Sequence, residues 1–427
     1  MTTGTAVLSD TERQRLQWRT LAVLSTSAVC GRAAMSVAFV VVSILTKEIL
    51  GSATWAGLAS ASITMGTALS SSALSSYMNQ AGRRPGLVVG YGIAAAGGLI
   101  AAFGGQTLFI VAYLFGLFLF GVGQGSTGLA RYAAADLATN ADRGKAIGYV
   151  VFASTIGAVG GPALSGPAAS LGQSFGLGEY IGAHLFSIVF FCLAGLLLFV
   201  GLRPDPLVAS GKLDPTKPVE KTGLGDGFST GLEAIRQEPL AVLAVLGLVV
   251  SQAVMVMVMT MTPLHMEAHG KSVGLVGWVL SAHTAGMFAF APLAGWFADR
   301  FGRLQSLLVS AVVLIVSTIM TAFAHEAPSI LMFPGLYLLG LGWSFGNVAA
   351  SALLTEAVTA QDQVAAQGAA DLIKSFVSGA GALASGFIFS MAGFHILSMV
   401  GIAGSGLLLV AAFFRLRLSS PSGLAPQ

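Results

Sequence analysis

Six charged residues lie inside long apolar stretches of this sequence: Arg32, Arg131, Asp136, Glu356, Asp371 and Lys374. A charge at the centre of a lipid bilayer costs about 2.5 to 3.5 kcal/mol on insertion scales. Such side chains therefore usually face a water-filled cavity or an ionic partner. The pattern favours a protein that binds a solute within a membrane or moves it across.

Two of the six are arginines that we predict to line a substrate cavity. Arg32 lies about 16 Å into the first apolar stretch, near its middle, if each residue rises about 1.5 Å. Arg131 shares a helical face with Gln124, seven residues earlier. For Arg32, two interpretations carry equal weight: a cation for substrate, or a structural group fixed by an ion pair or by the carbonyls of a broken helix. The other cavity candidates are Gln252, Met255, Trp343 and Asn347.

Asp371 and Lys374 are the candidates for proton coupling. At a spacing of i and i+3 on one helix, they can simply neutralise each other, which is the favoured interpretation. The sharper hypothesis makes Asp371 the carboxylate that takes up and releases the coupling proton. His283 is a second-rank candidate, because a lone histidine inside a helix is more often a hydrogen-bonded packing residue.

The elements that must position these residues are transmembrane helices. The chain is 55% hydrophobic and only 9% charged, with a mean hydropathy of +0.82, whereas a soluble domain carries roughly 25% charged residues. Apolar runs of about 20 residues predict an all-α polytopic membrane protein of about twelve spans. The spans start near Leu21, Trp55, Pro85, Leu108, Ala146, Ile181, Leu240, Val273, Leu304, Ile330, Val364 and Phe394.

The basic residues predict the orientation and the domain boundaries. Sixteen of the 21 Lys and Arg residues fall in loops on one side, and only Lys47 and Lys271 fall on the other. By the positive-inside rule, both termini should be cytoplasmic, and we expect a bacterial plasma (cell inner) membrane. The one long polar stretch, residues 203–239, predicts a flexible cytoplasmic linker. It separates a six-helix bundle over 1–202 from a second over 240–427.

The two halves align at an offset of 220 residues. Gly57 pairs with Gly277, and Asp136 pairs with Glu356. Two six-helix halves related in parallel are the arrangement of transporters that work by alternating access, with the substrate site at the repeat interface near the midplane. The internal repeat therefore favours transport over other membrane functions.

The loop after the eighth predicted span, which starts near Val273, carries the most specific motif. The segment Gly295-Trp-Phe-Ala-Asp299-Arg300-Phe-Gly302-Arg303 resembles the loop signature of the major facilitator superfamily, and the likeness extends over nearly the whole chain. In that family the signature acts as a conformational latch. The first half keeps Gly82 and Arg83 but has Asn79 and Gln80 where the acid and base should be. We expect interfacial or latch contacts from Asp136 and Glu356.

A second resemblance concerns the direction of transport. The run Gly157-Ala-Val-Gly-Gly161-Pro162-Ala-Leu-Ser165-Gly166 resembles the motif of that family's antiporters, chiefly drug exporters. Glycines of this spacing also allow close helix packing, and proline kinks a helix. The family's fourth-helix arginine is missing, because Gly121 stands in its place. Its usual mode of proton coupling is therefore not carried over to this position.

Three hypotheses of function follow. The first is proton-coupled export of amphipathic or drug-like compounds; the second is carriage of an anionic metabolite, which the basic interior suggests. The third is a non-transporting sensor or lipid-binding protein with the same fold. Under each we expect no enzyme activity, no cofactor, no metal and no nucleic-acid partner. We expect a monomer that contacts a small molecule, protons and membrane lipids.

Overall fold

The fold is helical throughout the part of the chain that the structure describes. A computed structural model describes residues 10–138, 143–211, 224–324, 328–359 and 362–419. A short 3₁₀ turn at Ala53–Trp55 accompanies sixteen α-helices. The helices are α1 (Asp10–Phe39), α2 (Val42–Leu50), α3 (Gly57–Ala81), α4 (Arg83–Gln106), α5 (Ile110–Ala135), α6 (Arg143–Ala163), α7 (Ser165–Ser174), α8 (Ile181–Gly201), α9 (Pro206–Ala209), α10 (Leu224–Gln237), α11 (Pro239–Ala268), α12 (Val273–Phe288), α13 (Ala291–Phe301), α14 (Arg303–Phe323), α15 (Pro328–Ala357) and α16 (Gln363–Ser419).

The predicted spans correspond to these helices. Ten helical segments among the described residues are long and apolar enough to cross a membrane. The last segment, within α16, has 54 residues, enough for two spans, and its backbone leaves the helix at Gly393 (φ 79°, ψ 175°). The serine-rich α3, 25 residues long, is not among the ten but supplies the predicted second span. The expectation of an all-α, polytopic membrane fold is confirmed.

The chain divides into two compact units. Unit 1 comprises residues 1–51, 58–221 and 272–281, and unit 2 comprises 52–57, 222–271 and 282–427. The core of unit 1 is built on large buried aromatic side chains, with Phe120 and Phe191 in edge-on contact at 5.0 Å. The core of unit 2 has smaller side chains around Leu307 and Leu354.

The stretch 203–239 is more ordered than a flexible linker, which corrects that expectation for its described part. Helices α9 and α10 lie within it. Ile235 of α10 is buried in the core of unit 2, and Gly231 lets α10 approach the backbone of Ala365 in α16. The apolar face of α10 therefore holds it on unit 2. Lys212, Lys217 and Lys221, three of the sixteen basic residues on the predicted cytoplasmic side, lie outside the described residues.

Each unit makes equivalent packing contacts at positions 220 residues apart. In unit 1, Gly90 of α4 lies against Ser126 of α5; in unit 2, Ser310 of α14 lies against Gly346 of α15. The same contact thus survives with the glycine and the serine exchanged. A glycine opposite a serine lets two helices approach closely in either arrangement.

One part of α15 departs from the constant offset. Gly123 of α5 faces Ala94, whereas Gly342 of α15 faces Leu314. These two glycines are 219 residues apart, although their partners are 220 apart. Helix α15 therefore holds one more residue than α5 just after this point, next to Trp343. The expected single register is wrong for this segment.

Candidate functional site

Unit 1 places a cluster of polar side chains around Arg32. Arg32, half-buried on α1, interacts electrostatically with Tyr91 of α4 and with Arg131 of α5. The Tyr91 hydroxyl lies 3.1 Å from Thr127 Oγ1. Because Thr127 donates its own hydrogen to the Gly123 carbonyl at 2.9 Å, Tyr91 is the donor in this contact. The cluster thus joins α1, α4 and α5 within one unit.

The other cavity candidates of unit 1 lie on α5. Arg131 is exposed, and its guanidinium lies 4.9 Å from the ring centroid of Tyr132, while Nη2 donates to the Tyr132 hydroxyl at 3.1 Å. Gln124 is half-buried one turn from Thr127. Sequence reasoning missed Tyr91. The signal was available, because a tyrosine in a run of glycine and alanine buries its ring and needs a partner for its hydroxyl.

Unit 2 holds a second cluster, built on Trp343. The Trp343 Nε1 group donates to Gln252 Oε1 at 2.8 Å, and Gln252 Nε2 donates to Ser378 Oγ at 3.3 Å. Phe288 of α12 meets the Trp343 ring edge-on, with 5.9 Å between the ring centroids. Four helices, α11, α12, α15 and α16, therefore hold one aromatic ring in a fixed orientation. Sequence reasoning did not identify Phe288.

The two clusters occupy related positions of the repeat. Gln252 lies 220 residues after Arg32, and Asn347 lies 220 after Thr127. Asn347 is half-buried on α15, whereas Met255 is buried. The repeat thus places a cation at this position in unit 1 and a neutral amide in unit 2.

The coupling candidates differ in their surroundings. Lys374 Nζ donates to Asp371 Oδ1 at 2.7 Å, and the two side chains are 23% and 64% exposed. They form the mutually neutralising pair that the spacing indicated. His283 is fully buried, with its Nδ1 at 2.9 Å from the Leu336 carbonyl. That environment is typical of a hydrogen-bonded packing histidine, which is the alternative to a coupling role.

The loop candidates form ion pairs at matching positions in the two units. In unit 1, Arg83 Nε lies 2.8 Å from Asp136 Oδ2. In unit 2, Arg303 pairs with both Glu356, at 2.9 Å, and Asp299. Arg300 is exposed and has no ion pair within the described residues. The structure therefore brings these acids and arginines together, while their role as a latch stays a prediction.

In each of these loops, a glycine with positive φ directly precedes the next helix. Gly82 (φ 102°) precedes α4, and Gly302 (φ 109°) precedes α14. Residues with a Cβ rarely adopt this conformation. In unit 1 the turn is also held by Asp205, whose Oδ2 accepts from the Arg84 backbone N–H at 2.7 Å. Asp205 lies in the stretch that we expected to be flexible.

The antiporter-like motif packs α6 against α1. A Cβ on Gly157 would lie 2.0 Å from the Val29 carbonyl oxygen, and one on Gly161 would lie 2.8 Å from the Ser36 Cβ. Pro162 lies near the end of α6, and Gly166 is half-buried in α7. The two glycines thus have a packing role that explains their spacing. Among the described residues there is no cluster of His, Cys, Asp and Glu that could hold a metal ion.

The chain is similar in sequence to known membrane transporters. A family model described as Major Facilitator Superfamily matches residues 24–275 and 243–427. The uncharacterized MFS-type transporter YdeG of Bacillus subtilis (strain 168) is 32% identical over 397 residues, which cover 92% of this chain and 91% of that protein. The riboflavin transporter RfnT of Brucella anthropi is 27% identical over 369 residues, covering 85% of this chain and 86% of that protein.

A solved structure extends the likeness to the fold. The crystal structure of a bacterial homolog of the human lysosomal transporter Spinster superposes with a TM-score of 0.69 at 16% identity. The match covers 98% of this chain and all of that one. At this identity the likeness concerns the fold alone.

Proposed function

The chain belongs to the major facilitator superfamily, and on that premise we propose that it transports a small amphipathic molecule with a planar aromatic part. Transport is by alternating access, is coupled to protons and runs outward across the plasma membrane, with both termini cytoplasmic. The observation that carries the substrate class is the Trp343 cluster. The family relationship supports a small-molecule substrate and a multi-pass membrane protein in general terms.

The Trp343 cluster supports an aromatic substrate because of what its hydrogen bonds leave available. The Nε1 donor of Trp343 is used by Gln252, so the half-buried indole would contact a ligand through its ring rather than through a hydrogen bond. Aromatic rings attract one another by about 0.5 to 1.5 kcal/mol beyond the effect of buried area. The Gln252 amide retains a second N–H beside this ring. A planar ring with a hydrogen-bond acceptor on its edge matches both features.

The named substrate of one relative is of this chemical class. Riboflavin carries a planar ring system with carbonyl groups on its edge, attached to a polar chain. The riboflavin transporter of Brucella anthropi matches 85% of this chain. This likeness supports the class of substrate and makes riboflavin a rational first probe.

Proton coupling would pass through Asp371. Protonation of this carboxylate would remove the charge that holds Lys374 at 2.7 Å, so the ion pair would separate when the proton binds. The resemblance of the Gly157 to Gly166 run to the antiporter motif supports outward transport in exchange for protons.

A second candidate, carriage of an organic anion, is favoured by unit 1. Unit 1 carries two arginines, Arg32 on α1 and Arg131 on α5, which act on each other electrostatically as like charges. Asp371, by contrast, is neutralised by Lys374. The two arginines give unit 1 positive charge at these positions, which would attract an anion and repel a lipophilic cation.

The test is flux in proteoliposomes under an imposed proton gradient. Riboflavin and lumichrome, which share the planar ring system, are compared with ribitol, which lacks it, and with benzoate as an aromatic anion. A pH-sensitive dye in the lumen follows the protons. We expect riboflavin and lumichrome to evoke proton movement and ribitol to evoke none.

Matched variants assign the effect to residues. Trp343→Leu removes the ring and should lower riboflavin flux about tenfold, whereas Trp343→Phe keeps a ring and should lower it about twofold. Trp296→Leu, at a tryptophan that is 56% exposed, is the control. Asp371→Asn should abolish proton movement. Flux of benzoate alone, lost in Arg32→Gln but kept in Trp343→Leu, would favour the anion carrier, and absence of any flux would favour the non-transporting hypothesis.

A further inference from the structure

Two arginines of unit 1 converge on the last turn of α8. Arg84, at the start of α4, lies with its guanidinium carbon 4.9 Å from the ring centroid of Phe199, and Arg203, just beyond α8, lies 5.4 Å from it. Both arginines also donate from Nε to the Phe199 carbonyl, at 3.0 and 3.3 Å. Two positive groups are thus fixed beside one ring and one carbonyl oxygen.

No carboxylate neutralises this pair within the described residues. The neighbouring Arg83 has its own partner, Asp136. Asp205 directs its two oxygens to backbone N–H groups, those of Arg84 at 2.7 Å and Leu207 at 2.9 Å. The arginines therefore repel each other unless an anion lies between them. Each still has its terminal Nη groups, which match the oxygens of a phosphate group in geometry.

An apolar face of α8 continues from this position. Val189, Leu193, Leu196 and Val200 are between 40% and 64% exposed. Their spacing of three and four residues places them on one helical face. Phe199, 50% exposed, lies at the end of that face, beneath the arginines. A positively charged end next to an exposed apolar strip is complementary to a phospholipid, which has an anionic headgroup next to an apolar acyl chain.

We propose that Arg84 and Arg203 bind the phosphate of an anionic phospholipid, whose acyl chain lies along the exposed face of α8. Basic residues at the ends of membrane helices attract anionic headgroups by about 1 kcal/mol per residue. The apolar face explains why the occupant is a lipid rather than a soluble phosphate. The proposal is independent of the transported substrate.

The repeat supplies a natural control in unit 2. Leu304 stands at the position related to Arg84, so the pair of arginines is not repeated there. Arg417 lies 4.6 Å from the ring centroid of Phe413. Arg417 thus lies on an aromatic ring next to exposed apolar residues and serves as the comparison.

The experiment measures phosphatidylglycerol bound to the purified full-length protein in detergent, by native mass spectrometry, with phosphatidylcholine as the neutral comparison. We expect Arg84→Gln and Arg203→Gln each to weaken phosphatidylglycerol binding about fivefold. The double variant should lose roughly 25-fold if the effects add. Arg417→Gln should bind phosphatidylglycerol as the parent protein does.

Three outcomes would overturn the assignment. They are unchanged binding in the double variant, an equal loss in Arg417→Gln, and displacement of the lipid by equimolar glycerol phosphate, which would make the site one for soluble phosphates. Size-exclusion profiles check that the variants fold. If Arg84→Gln fails this check, Arg203→Gln and Phe199→Leu carry the test, because Phe199→Leu keeps both charges and should still weaken binding.

Discussion

The two halves of the chain share a loop geometry but expose it to solvent differently. Gly82 and Gly302 have nearly the same backbone angles, and the ion pairs that follow involve Arg83 with Asp136 and Arg303 with Glu356. In unit 1 the paired side chains are only 13% and 7% exposed, whereas in unit 2 they are 22% and 54% exposed. The repeat thus preserves the pairing, while burial changes what the pairing contributes to stability.

The same contrast holds at the polar clusters. Related positions carry Arg32 in unit 1 and Gln252 in unit 2. Arg32 interacts electrostatically with Tyr91, whose hydroxyl contacts Thr127, whereas Gln252 accepts a hydrogen bond from the Trp343 indole. A shared fold therefore gives one half a cationic cluster and the other a neutral aromatic one. The two halves thus share a fold and differ in the chemistry of their polar clusters.

The largest difference that we predict concerns the two ion pairs. Arg83→Gln removes the cation that lies 2.8 Å from the buried Asp136 carboxylate, and breaking a buried pair costs about 3 to 5 kcal/mol. Arg303→Gln removes exposed interactions, which are worth about 0 to 1 kcal/mol each. Denaturant unfolding of both variants in one detergent measures the contrast. Equal losses in the two variants would show that burial does not set the value of these pairs.

A smaller difference is predicted where α6 packs against α1 in unit 1 and where α16 packs against α11 in unit 2. A Cβ on Gly161 would meet Ser36 Cβ at 2.8 Å and the Ala33 carbonyl oxygen at 2.9 Å, whereas one on Gly381 would meet only Met257 Cγ, at 3.4 Å. Gly161→Ala should therefore cost about 1 to 3 kcal/mol. Gly381→Ala should stay within about 0.5 kcal/mol of the parent protein.

The same unfolding measurement has an internal control on α6. Gly160 has open space where its Cβ would stand, so Gly160→Ala should change the free energy of unfolding little. A loss in Gly160→Ala as large as that in Gly161→Ala would indicate a general effect of alanine on α6. The close approach of α1 would then not explain the antiporter-like spacing.

The sequence predicted best the features that repeat along one helix. Apolar length predicted the all-helical membrane fold, and the loop motif led to Arg303, Asp299 and their relation to Arg83. These signals depend on residues near one another in the chain, or on a regular offset between halves. The pairing of Asp371 with Lys374 was predictable for the same reason, because both lie on one helix turn.

Contacts between helices were harder to predict, because they depend on how each helix is rotated about its axis. Tyr91 and Phe288 complete the two clusters, yet neither is charged or part of a motif. The additional residue after Gly342 changes the register of α15 beside Trp343, and a constant offset could not reveal it. Asp205 escaped attention because a polar stretch rich in proline and glycine predicts a flexible segment, whatever single contacts it makes.

The smallest predicted contrast concerns the acids that support the two loops. Unit 2 uses Asp299, which is 72% exposed and lies one turn before Arg303. Unit 1 has Asn79 at the related position, and there Asp205 accepts from the Arg84 backbone N–H at the start of α4. A carboxylate at a helix N-terminus gains from both the hydrogen bond and the helix dipole.

Asp205→Ala should therefore lower the free energy of unfolding by about 1 to 2 kcal/mol, whereas Asp299→Ala should lower it by less than about 1 kcal/mol. Asp205→Asn keeps an oxygen acceptor but loses the charge, so its loss should be intermediate. Denaturant unfolding at low and high salt separates the two contributions, because salt screens the dipole interaction but leaves the hydrogen bond. If Asp205→Asn matches the parent protein at both salt concentrations, the charge contributes nothing. The carboxylate would then act only as a hydrogen-bond acceptor that anchors the chain after α8 to the first half.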